Sequence, residues 1–295
     1  MAVSGIIGVP IDCSGRFTGV ERMPAALRAA GLATRLNLHD WDDIPAVIDD
    51  PVRDETTGII GYQAVCAASG SIQNGIVGLL RQNQQPLVIG GCCTLLIGVF
   101  AALRAKIGPV GLAFIDGHLD FYDGQSSPTG EAADMELAIL TGIGPAALTG
   151  LDGITPPLVQ PEQVVVLGYR DGEQAAQDGA PNPATAAPGI TLYDAKTVQR
   201  HDPATLGRQT AARIEAEPGR FWLHLDLDVL DETALPAVDY LMPGGLDWET
   251  VIQLARPLAH SPALVGADVT IYNPALDSDG RYARRIVDAL AAIFS

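Results

Sequence analysis

The stretch AFIDGHLDFYD, residues 113–123, joins a short apolar run to a dense group of acidic and imidazole side chains. The run Leu112–Ile115 predicts a buried strand, because short continuous apolar segments are typical of parallel sheets covered on both faces. Asp116, His118 and Asp120 follow it at alternate positions. Alternate positions of an extended chain share one face, so two carboxylates and one imidazole are expected to point the same way from the end of this strand.

A second stretch, FWLHLDLDVLD at residues 221–231, repeats this spacing with His224, Asp226 and Asp228. Neither stretch contains a lysine or an arginine, and a buried ionised carboxylate is costly unless it is paired or binds a metal. Oxygen ligands with an imidazole suit Mn²⁺, or alternatively Fe, Ni or Zn. Two ions that share aspartates would also activate water as a nucleophile. The motifs therefore predict a two-metal hydrolytic site, and the alternative is a set of separate structural carboxylates that cap helices.

The rest of the chain alternates short apolar runs with longer helical patterns. This alternation indicates a doubly wound α/β domain of about eight strands, in which sites form at the carboxyl ends of the strands. We expect a single domain over residues 1–295, with a surface loop at Asp178–Gly189. The predicted strands are Gly5–Val9, Leu36–Asp40, Pro86–Ile89, Leu112–Ile115, Val164–Leu167, Ile190–Tyr193, Phe221–Asp226 and Leu264–Val269. The predicted helices include Pro24–Ala30, Tyr62–Arg81, Thr94–Ala105, Ala204–Ala216, Trp248–Leu258 and Arg281–Phe294.

Composition narrows the class of protein. The formal net charge of -17 argues against binding to nucleic acid or to an anionic membrane, because both require a basic face. No apolar run approaches the length of a transmembrane helix, and the first residues are expected to form a strand, not a signal peptide. Four cysteines in 295 residues do not suggest a disulfide scaffold, so a reducing cytoplasm is expected. The expected partner is a small-molecule substrate.

Several motifs resemble those of the ureohydrolase (arginase/agmatinase) family. The stretch IDGHLDFYD is similar to its D-A-H-x-D motif, with Gly117 for alanine, and HLDLDVLDE is similar to S-x-D-x-D-x-x-D-P, with His224 for serine and Glu232 for proline. The opening GVPIDCSGRFTGVERMPAALRAAGL and the tail NPALDSDGRYARRIVDAL match the ends of the family pattern. The resemblance implies a three-layer α/β/α domain with an eight-stranded parallel sheet and two Mn²⁺ ions. It also implies hydrolysis of guanidino compounds to urea by a homo-oligomer, usually a trimer or hexamer.

The resemblance also implies how the ligands divide between the two ions. By motif position, Asp116 and Asp226 would bridge the two ions and Asp120 would complete the shell of one. His118 and Asp228 would complete the shell of the other.

Cys93 stands where the family motif G-G-D-H-S has a ligand histidine, within the stretch GGCCT. A thiolate is softer than an imidazole, so this ligand would favour Zn, Fe or Ni or weaken Mn²⁺ binding. Cysteine at this position also resembles the branch that hydrolyses Nω-hydroxy-arginine. The alternatives for Cys93 are a buried residue that binds no metal, or a redox partner of Cys92. Cys92 itself is expected to pack as a small apolar residue.

Other departures from the family pattern concern the substrate. Ala133 stands where the family has a proton-shuttling histidine, and Ile271 stands where a carboxylate grips the guanidinium. Glu173 corresponds to an aspartate that contacts the substrate's amino group in arginases. Ser127 and Thr129 are the possible counterparts of hydroxyls that meet a substrate carboxylate. Loss of a charge-assisted hydrogen bond costs about 1.5–3 kcal/mol, so arginine itself is a poor fit.

The proton donor to the leaving amine must therefore be another group, and the candidates are Asp120, Glu131 and His224. Glu131 is the first choice among three acids that follow the metal loop, the others being Asp134 and Glu136. The alternative for all three acids is a solvated first turn of a helix, where negative charge suits the helix dipole. His224 is either a partner that orients Asp120 or Asp226, or a general acid/base.

Together these observations favour a two-metal hydrolase that cleaves a linear C–N bond, other than a peptide bond, in a guanidino or amidine compound. An Nω-hydroxy-arginine-like substrate fits Cys93, whereas Ile271 favours a less cationic one. Two alternatives remain open: hydrolysis of a linear amide that is not a guanidine, and a non-catalytic protein with a degenerate site. Stoichiometric metal binding and product detection would separate these alternatives.

Overall fold

The computed structural model describes residues 3–295, and its centre is one sheet of eight parallel strands. Residues 1 and 2, which belong to the predicted domain 1–295, lie outside the described part. The strand order is β2-β1-β3-β8-β7-β4-β5-β6. The strands are β1 Gly5–Val9, β2 His39–Asp40, β3 Pro86–Gly90, β4 Gly111–Ile115, β5 Val164–Leu167, β6 Thr191–Tyr193, β7 Phe221–Asp226 and β8 Leu264–Thr270.

Helices surround this sheet. One group packs through α3 against α4, and another packs through α10, α11 and α12, with α12 also contacting α1 and α2. The helices are α1 Met23–Ala29, α2 Leu32–Leu36, α3 Tyr62–Arg81, α4 Leu95–Lys106, α5 Glu136–Leu140, α6 Ala146–Thr149, α7 Gly172–Gln177, α8 Pro183–Ala186, α9 Ala195–Arg200, α10 Pro203–Ala216, α11 Trp248–Ala259 and α12 Arg281–Phe294. The expectation of a three-layer α/β/α fold with an eight-stranded parallel sheet is confirmed.

Most element boundaries agree with the sequence prediction to within one or two residues, but the prediction of a strand at Leu36–Asp40 is wrong at its beginning. Leu36 ends α2, and Asn37 closes that helix with a left-handed backbone (φ 54°). Asparagine tolerates this conformation at a helix end. The strand that remains is only His39–Asp40, which pairs with the first two residues of β1. In the same way, the predicted loop Asp178–Gly189 contains one helical turn, α8.

The central strands β3, β8, β7 and β4 lie side by side and are almost entirely buried. Because all of them run in one direction, the segments that follow them meet at one edge of the sheet. This is the edge at which α/β proteins form their sites. Within the described residues, no helix is both long and apolar enough to cross a membrane.

Candidate metal centre

The two acidic motifs and the cysteine loop meet at this edge. Asp116 follows β4, Asp226 ends β7, and Cys93 follows β3. Three groups of side chains bring their possible ligand atoms within 4.8 Å of one another. These groups are Cys93, Asp116, His224 and Asp226; Cys93, Asp116, Asp120 and Glu136; and Asp116, His118 and Asp228. All six predicted metal ligands therefore lie in overlapping groups that share Asp116.

Short turns fix the carboxylates at the strand ends. Asp116 Oδ1 accepts the backbone N–H of His118 at 2.7 Å, and Asp226 Oδ1 accepts that of Asp228 at 2.7 Å. His118 Nδ1 lies 3.0 Å from Asp228 Oδ2. The other oxygen of Asp228 accepts the backbone N–H of Gly117 at 3.1 Å. The alternate spacing seen in the sequence thus brings the two motifs into direct contact.

Charge balance at Asp116 depends on two imidazoles. Burial alone would raise the pKa of Asp116, but the hydrogen bonds from His118 and His224 outweigh burial and lower it. The two imidazoles therefore favour the ionised form of Asp116.

Cys93 is almost fully buried beside Asp226. Its Sγ donates to Asp226 Oδ2 at 2.7 Å, and the hydroxyl of Thr270 donates to the same oxygen at 2.9 Å. Burial and the charge of Asp226 raise the pKa of the Cys93 thiol well above its ordinary value. A divalent cation bound by Cys93 would reverse this balance, because a coordinating thiol loses its proton. All four cysteines are free, and Cys92 belongs to the hydrophobic core.

His224 lies within β7, paired in register with Phe114 of the neighbouring strand β4. Its Nδ1 is 2.6 Å from Asp268 Oδ2, and its Nε2 is 3.4 Å from Asp116 Oδ2. Burial alone would lower the pKa of His224, but the charges of Asp268 and Asp116 raise it well above its ordinary value. An imidazolium that joins two carboxylates is the arrangement that these contacts favour.

These contacts correct the expectation that His224 orients Asp120 or Asp226, because its partner is Asp116. With 0% of its side chain exposed and no place in the lining of the cavity, His224 cannot hand a proton directly to a leaving group.

Asp120 and Glu136 form the part of the cluster that the sequence did not reveal as a pair. Asp120 has a left-handed backbone (φ 45°), and its carbonyl oxygen accepts the N–H groups of Leu137 and Ala138 at 3.1 and 3.4 Å. Burial, reinforced by the charge of Glu136, raises the pKa of Asp120 well above its ordinary value. Burial also raises that of Glu136. The alternative of a solvated first helical turn is wrong for Glu136, because α5 packs entirely inside the protein.

A cavity of about 630 Å³ opens over the cluster. Ile271 and Ala133 contribute apolar wall, while Glu131 and Asp134 face the same space as the metal-site aspartates. Among residues 3–295, no lysine or arginine lines this cavity. Its wall therefore combines acidic, hydroxyl-bearing and apolar side chains, with His118 as the one imidazole among the described lining residues.

The hydroxyls predicted to meet a substrate carboxylate have another partner. Ser127 Oγ and Thr129 Oγ1 each donate to Asp134 Oδ2 at 2.7 Å. Burial raises the pKa of Asp134 to about 6 despite these two hydrogen bonds. In this arrangement both hydroxyls are committed to Asp134 and do not face the cavity as free donors.

Glu131 and Glu173 lie in different places. Glu131 lines the cavity and accepts a hydrogen bond from Cys13 Sγ at 3.3 Å, and burial raises its pKa. Glu173 is exposed on α7 and lines a second cavity of about 580 Å³. Its neighbours Asp171 and Gln174 line the first cavity instead. The helical turn thus faces both cavities, with Glu173 on the side away from the metal cluster.

Arg170 supports the second acidic motif, a role that the sequence did not reveal. Its Nη2 donates to the backbone oxygens of Asp228, Leu230 and Met242 at 2.7, 3.2 and 3.1 Å. A Cβ atom on Gly117 would overlap the guanidinium of Arg170 and lie 2.7 Å from the carbonyl oxygen of Asp228. The glycine in the first motif therefore admits the arginine that holds the second.

The residues present fit bound cations. Within residues 3–295, no lysine or arginine forms an ion pair with these crowded, buried carboxylates, whose salt-bridge partners are His118 and His224. Neither carboxylate oxygen of Glu136 has a hydrogen-bond partner within the described chain. Such an arrangement is costly unless a cation or a proton lies between the oxygens.

This fold and this cluster define an α/β protein with a candidate metal site at the carboxyl ends of its strands. The model of the arginase family matches residues 2–294. The arginase of Bacillus caldovelox is 28% identical over 295 residues, which cover 98% of this chain and 97% of that protein. The native structure of that arginase superimposes with a TM-score of 0.86 at 27% identity, over 100% of this chain and 99% of the other. The Bacillus cereus arginase structure gives 0.84 at 26% identity, over 99% and 98%.

The chain belongs to the arginase family. It is accordingly a hydrolase that acts on carbon–nitrogen bonds other than peptide bonds, and the resemblance found in its motifs is confirmed.

Proposed function

We propose that this protein is a two-metal hydrolase that cleaves a C–N bond in a small guanidino or amidine compound. The observation that carries the proposal is the convergence of all six predicted ligands beneath one cavity, in groups that share Asp116. Residues 1–295 would act as one α/β domain within a homo-oligomer, a trimer or a hexamer. The four free thiols support a reducing, cytoplasmic compartment.

Each side of the cluster would hold one ion. By the family resemblance, Asp116 and Asp226 would be shared, Cys93 and Asp120 would hold one ion, and His118 and Asp228 would hold the other. The placement of Cys93 with Asp120 and of His118 with Asp228, each within reach of Asp116, supports this division. Mn²⁺ is the first expectation for these ions. Fe, Ni or Zn are the alternatives, because the thiolate of Cys93 is a softer ligand. When bound, such ions supply Lewis acidity and an activated water molecule.

The side chains that could move protons are the buried acids at the cavity wall. Asp120 and Glu131 both line the cavity, and burial raises the pKa of Glu131. A carboxyl group with a raised pKa retains a proton closer to neutral pH, which a general acid requires. We assign protonation of the leaving amine to Glu131 or Asp120, and the orientation of Asp116 to His224.

The cavity wall also limits the substrate. Ile271 offers no carboxylate to a guanidinium at the reacting end, which supports a weakly basic group such as a hydroxyguanidine. Farther out, Glu131 and Asp134 favour a cationic group. Because Ser127 and Thr129 both donate to Asp134, a substrate ammonium fits beside them better than a free carboxylate. An Nω-hydroxy-arginine-like compound meets the first requirement, and contact of its amino group with Glu173 would need that exposed side chain to turn inward.

The test uses protein loaded separately with Mn²⁺, Fe²⁺, Ni²⁺ or Zn²⁺ and a matched set of compounds. The set contains guanidines, hydroxyguanidines, amidines and linear amides, each with and without a terminal amine, and products are detected by mass spectrometry. We expect hydrolysis of a hydroxyguanidine or amidine that carries an amine. Hydrolysis of linear amides alone would move the substrate class, and failure on the whole set without stoichiometric metal would overturn the proposal.

A further inference from the structure

Glu136 is a buried acid that the ligand set proposed above does not use. It begins α5, its side chain is 0% exposed, and neither of its carboxylate oxygens has a hydrogen-bond partner within residues 3–295. A buried carboxylate without a donor costs several kcal/mol by comparison with related cases. The Glu136 carboxylate therefore destabilises the fold unless a bound ion or a proton compensates its charge.

The backbone places this carboxylate beside the metal cluster. The N–H groups of Leu137 and Ala138 donate to the carbonyl oxygen of Asp120, so the beginning of α5 is tied to the first acidic motif. As a result, ligand atoms of Glu136, Asp120 and Cys93 all lie within 4.8 Å of one another and of Asp116. Two neighbouring carboxylates are both acceptors, and they can approach only when a cation or a proton lies between them.

The composition of this group favours a cation over a shared proton. A proton would satisfy one contact between two carboxylates and leave the remaining oxygens of both without a donor. A divalent ion takes several oxygen and thiolate ligands at once. Since Cys93 also points into the group, one ion would satisfy the thiol and the carboxylates together.

We propose that Glu136 is a direct ligand of the metal ion that Cys93 and Asp120 hold. This inference rests on the proposed two-metal site and deepens it. The two halves then differ in chemistry: the Cys93 half contains a thiolate and carboxylates, whereas the other half contains the imidazole of His118. The Cys93 half carries more negative charge than the half that contains the neutral imidazole of His118. Coulombic attraction alone therefore favours cation binding in the Cys93 half.

The test compares Glu136→Gln with Glu162→Gln, using Zn²⁺ as the probe. Glu162 is exposed and lies two residues before β5, at the amino ends of the strands, so its substitution repeats the chemistry away from the cluster. Metal content is measured by mass spectrometry after dialysis against a zinc buffer, and affinity by calorimetry. Wild type and Glu162→Gln should each retain two ions per chain, whereas Glu136→Gln should retain one.

Removal of a group that only supports a ligand typically weakens metal binding about 10–100-fold. Loss of a direct ligand should therefore weaken the second ion by at least about 100-fold. The metal-free Glu136→Gln protein should melt no lower than the metal-free wild type, because the amide removes a buried charge. It should nevertheless gain less in melting temperature when zinc is added. Two ions bound with wild-type affinity in Glu136→Gln would overturn the inference and leave a shared proton as the explanation.

Glu136→Asp provides a second variant if Glu136→Gln does not fold. It keeps the charge and shortens the reach by one methylene, so it should bind two ions with the second weakened at least tenfold. Unchanged affinity in Glu136→Asp would likewise overturn the inference. Activity on the compound set is a separate measurement that tests the proposed function. If the wild type hydrolyses guanidino compounds and Glu136→Gln still binds both ions, this inference is refuted and the proposed function stands.

Discussion

Ile271→Glu should convert the cavity into one that binds a full guanidinium. Ile271 is 5% exposed, lines the cavity together with Asp226 and Asp228, and has its backbone N–H bonded to the carbonyl oxygen of Gly91 at 3.0 Å. Its backbone is left-handed (φ 67°), which is unusual for a β-branched residue. An unbranched glutamate side chain therefore fits this backbone with less strain and would present its carboxylate to the reacting end of a substrate.

The size of the gain follows from the hydrogen bond that is added. A charge-assisted hydrogen bond contributes about 1.5–3 kcal/mol and a neutral one about 0.5–1.5 kcal/mol. Since about 1.4 kcal/mol corresponds to a factor of ten, Ile271→Glu should raise kcat/KM for a guanidinium substrate by about 10- to 150-fold. Ile271→Gln, which has the same shape without the charge, should raise it by about 2- to 12-fold.

The assay measures urea or amine release from guanidinium compounds and from a neutral linear amide, with both variants loaded with the same metal. The neutral amide should show no difference between Glu and Gln. Metal content must be measured as well, because a carboxylate beside Asp226 and Asp228 adds negative charge to the cluster. Equal kcat/KM values for the two variants on a guanidinium substrate, with equal metal content, would refute the assignment of this position to guanidinium binding.

Three further predictions concern the support of the cluster. Asp228→Ala, which removes a carboxylate in contact with His118, should abolish hydrolysis in a product assay, and full activity would contradict the two-metal mechanism. Gly117→Ala should lower the free energy of unfolding by about 1–3 kcal/mol in urea titrations, because its methyl group would overlap Arg170. Gly78→Ala, where open space surrounds the new methyl group, is the control and should not destabilise. His224→Gln should weaken metal binding about 10–100-fold without loss of secondary structure, and unchanged affinity in calorimetry would contradict a role in orienting Asp116.

The fold could be predicted because its signals are local. The strands β1, β5 and β7 begin and end at the predicted residues. β1 and β5 are short apolar runs bounded by polar or turn-forming residues, and β7 ends at the first acid of its motif. The prediction failed at the beginning of β2. Leu36 is the last residue of the short helix α2, but its apolar side chain resembles the start of the strand that follows. Only the left-handed Asn37 separates the two elements, and an asparagine alone is a weak signal.

The metal ligands could be predicted for a related reason. In a parallel sheet the direction of each strand decides where its end lies, so acids that directly follow two apolar strands are brought to one edge. Asp116 and Asp226 needed no further information. The hydrogen-bond partners of His224 could not be predicted in this way. From its position in the sequence His224 could reach several carboxylates, and nothing indicated that Asp268 would bind its Nδ1 atom.

Glu136 shows why the remainder of the site could not be predicted. In the sequence it is an acid near the beginning of a short helix, where solvated carboxylates are common and stabilising. Its burial depends on α5 turning inward, and that depends on two backbone hydrogen bonds to the carbonyl oxygen of Asp120. A backbone contact of this kind has no side-chain signature, so the same letters are compatible with a solvent-facing turn and with a metal ligand. Only the packing of α5 decides between these two environments for Glu136. Because the buried carboxylate has no hydrogen-bond donor among the described residues, its packing leads to the expectation of a bound cation.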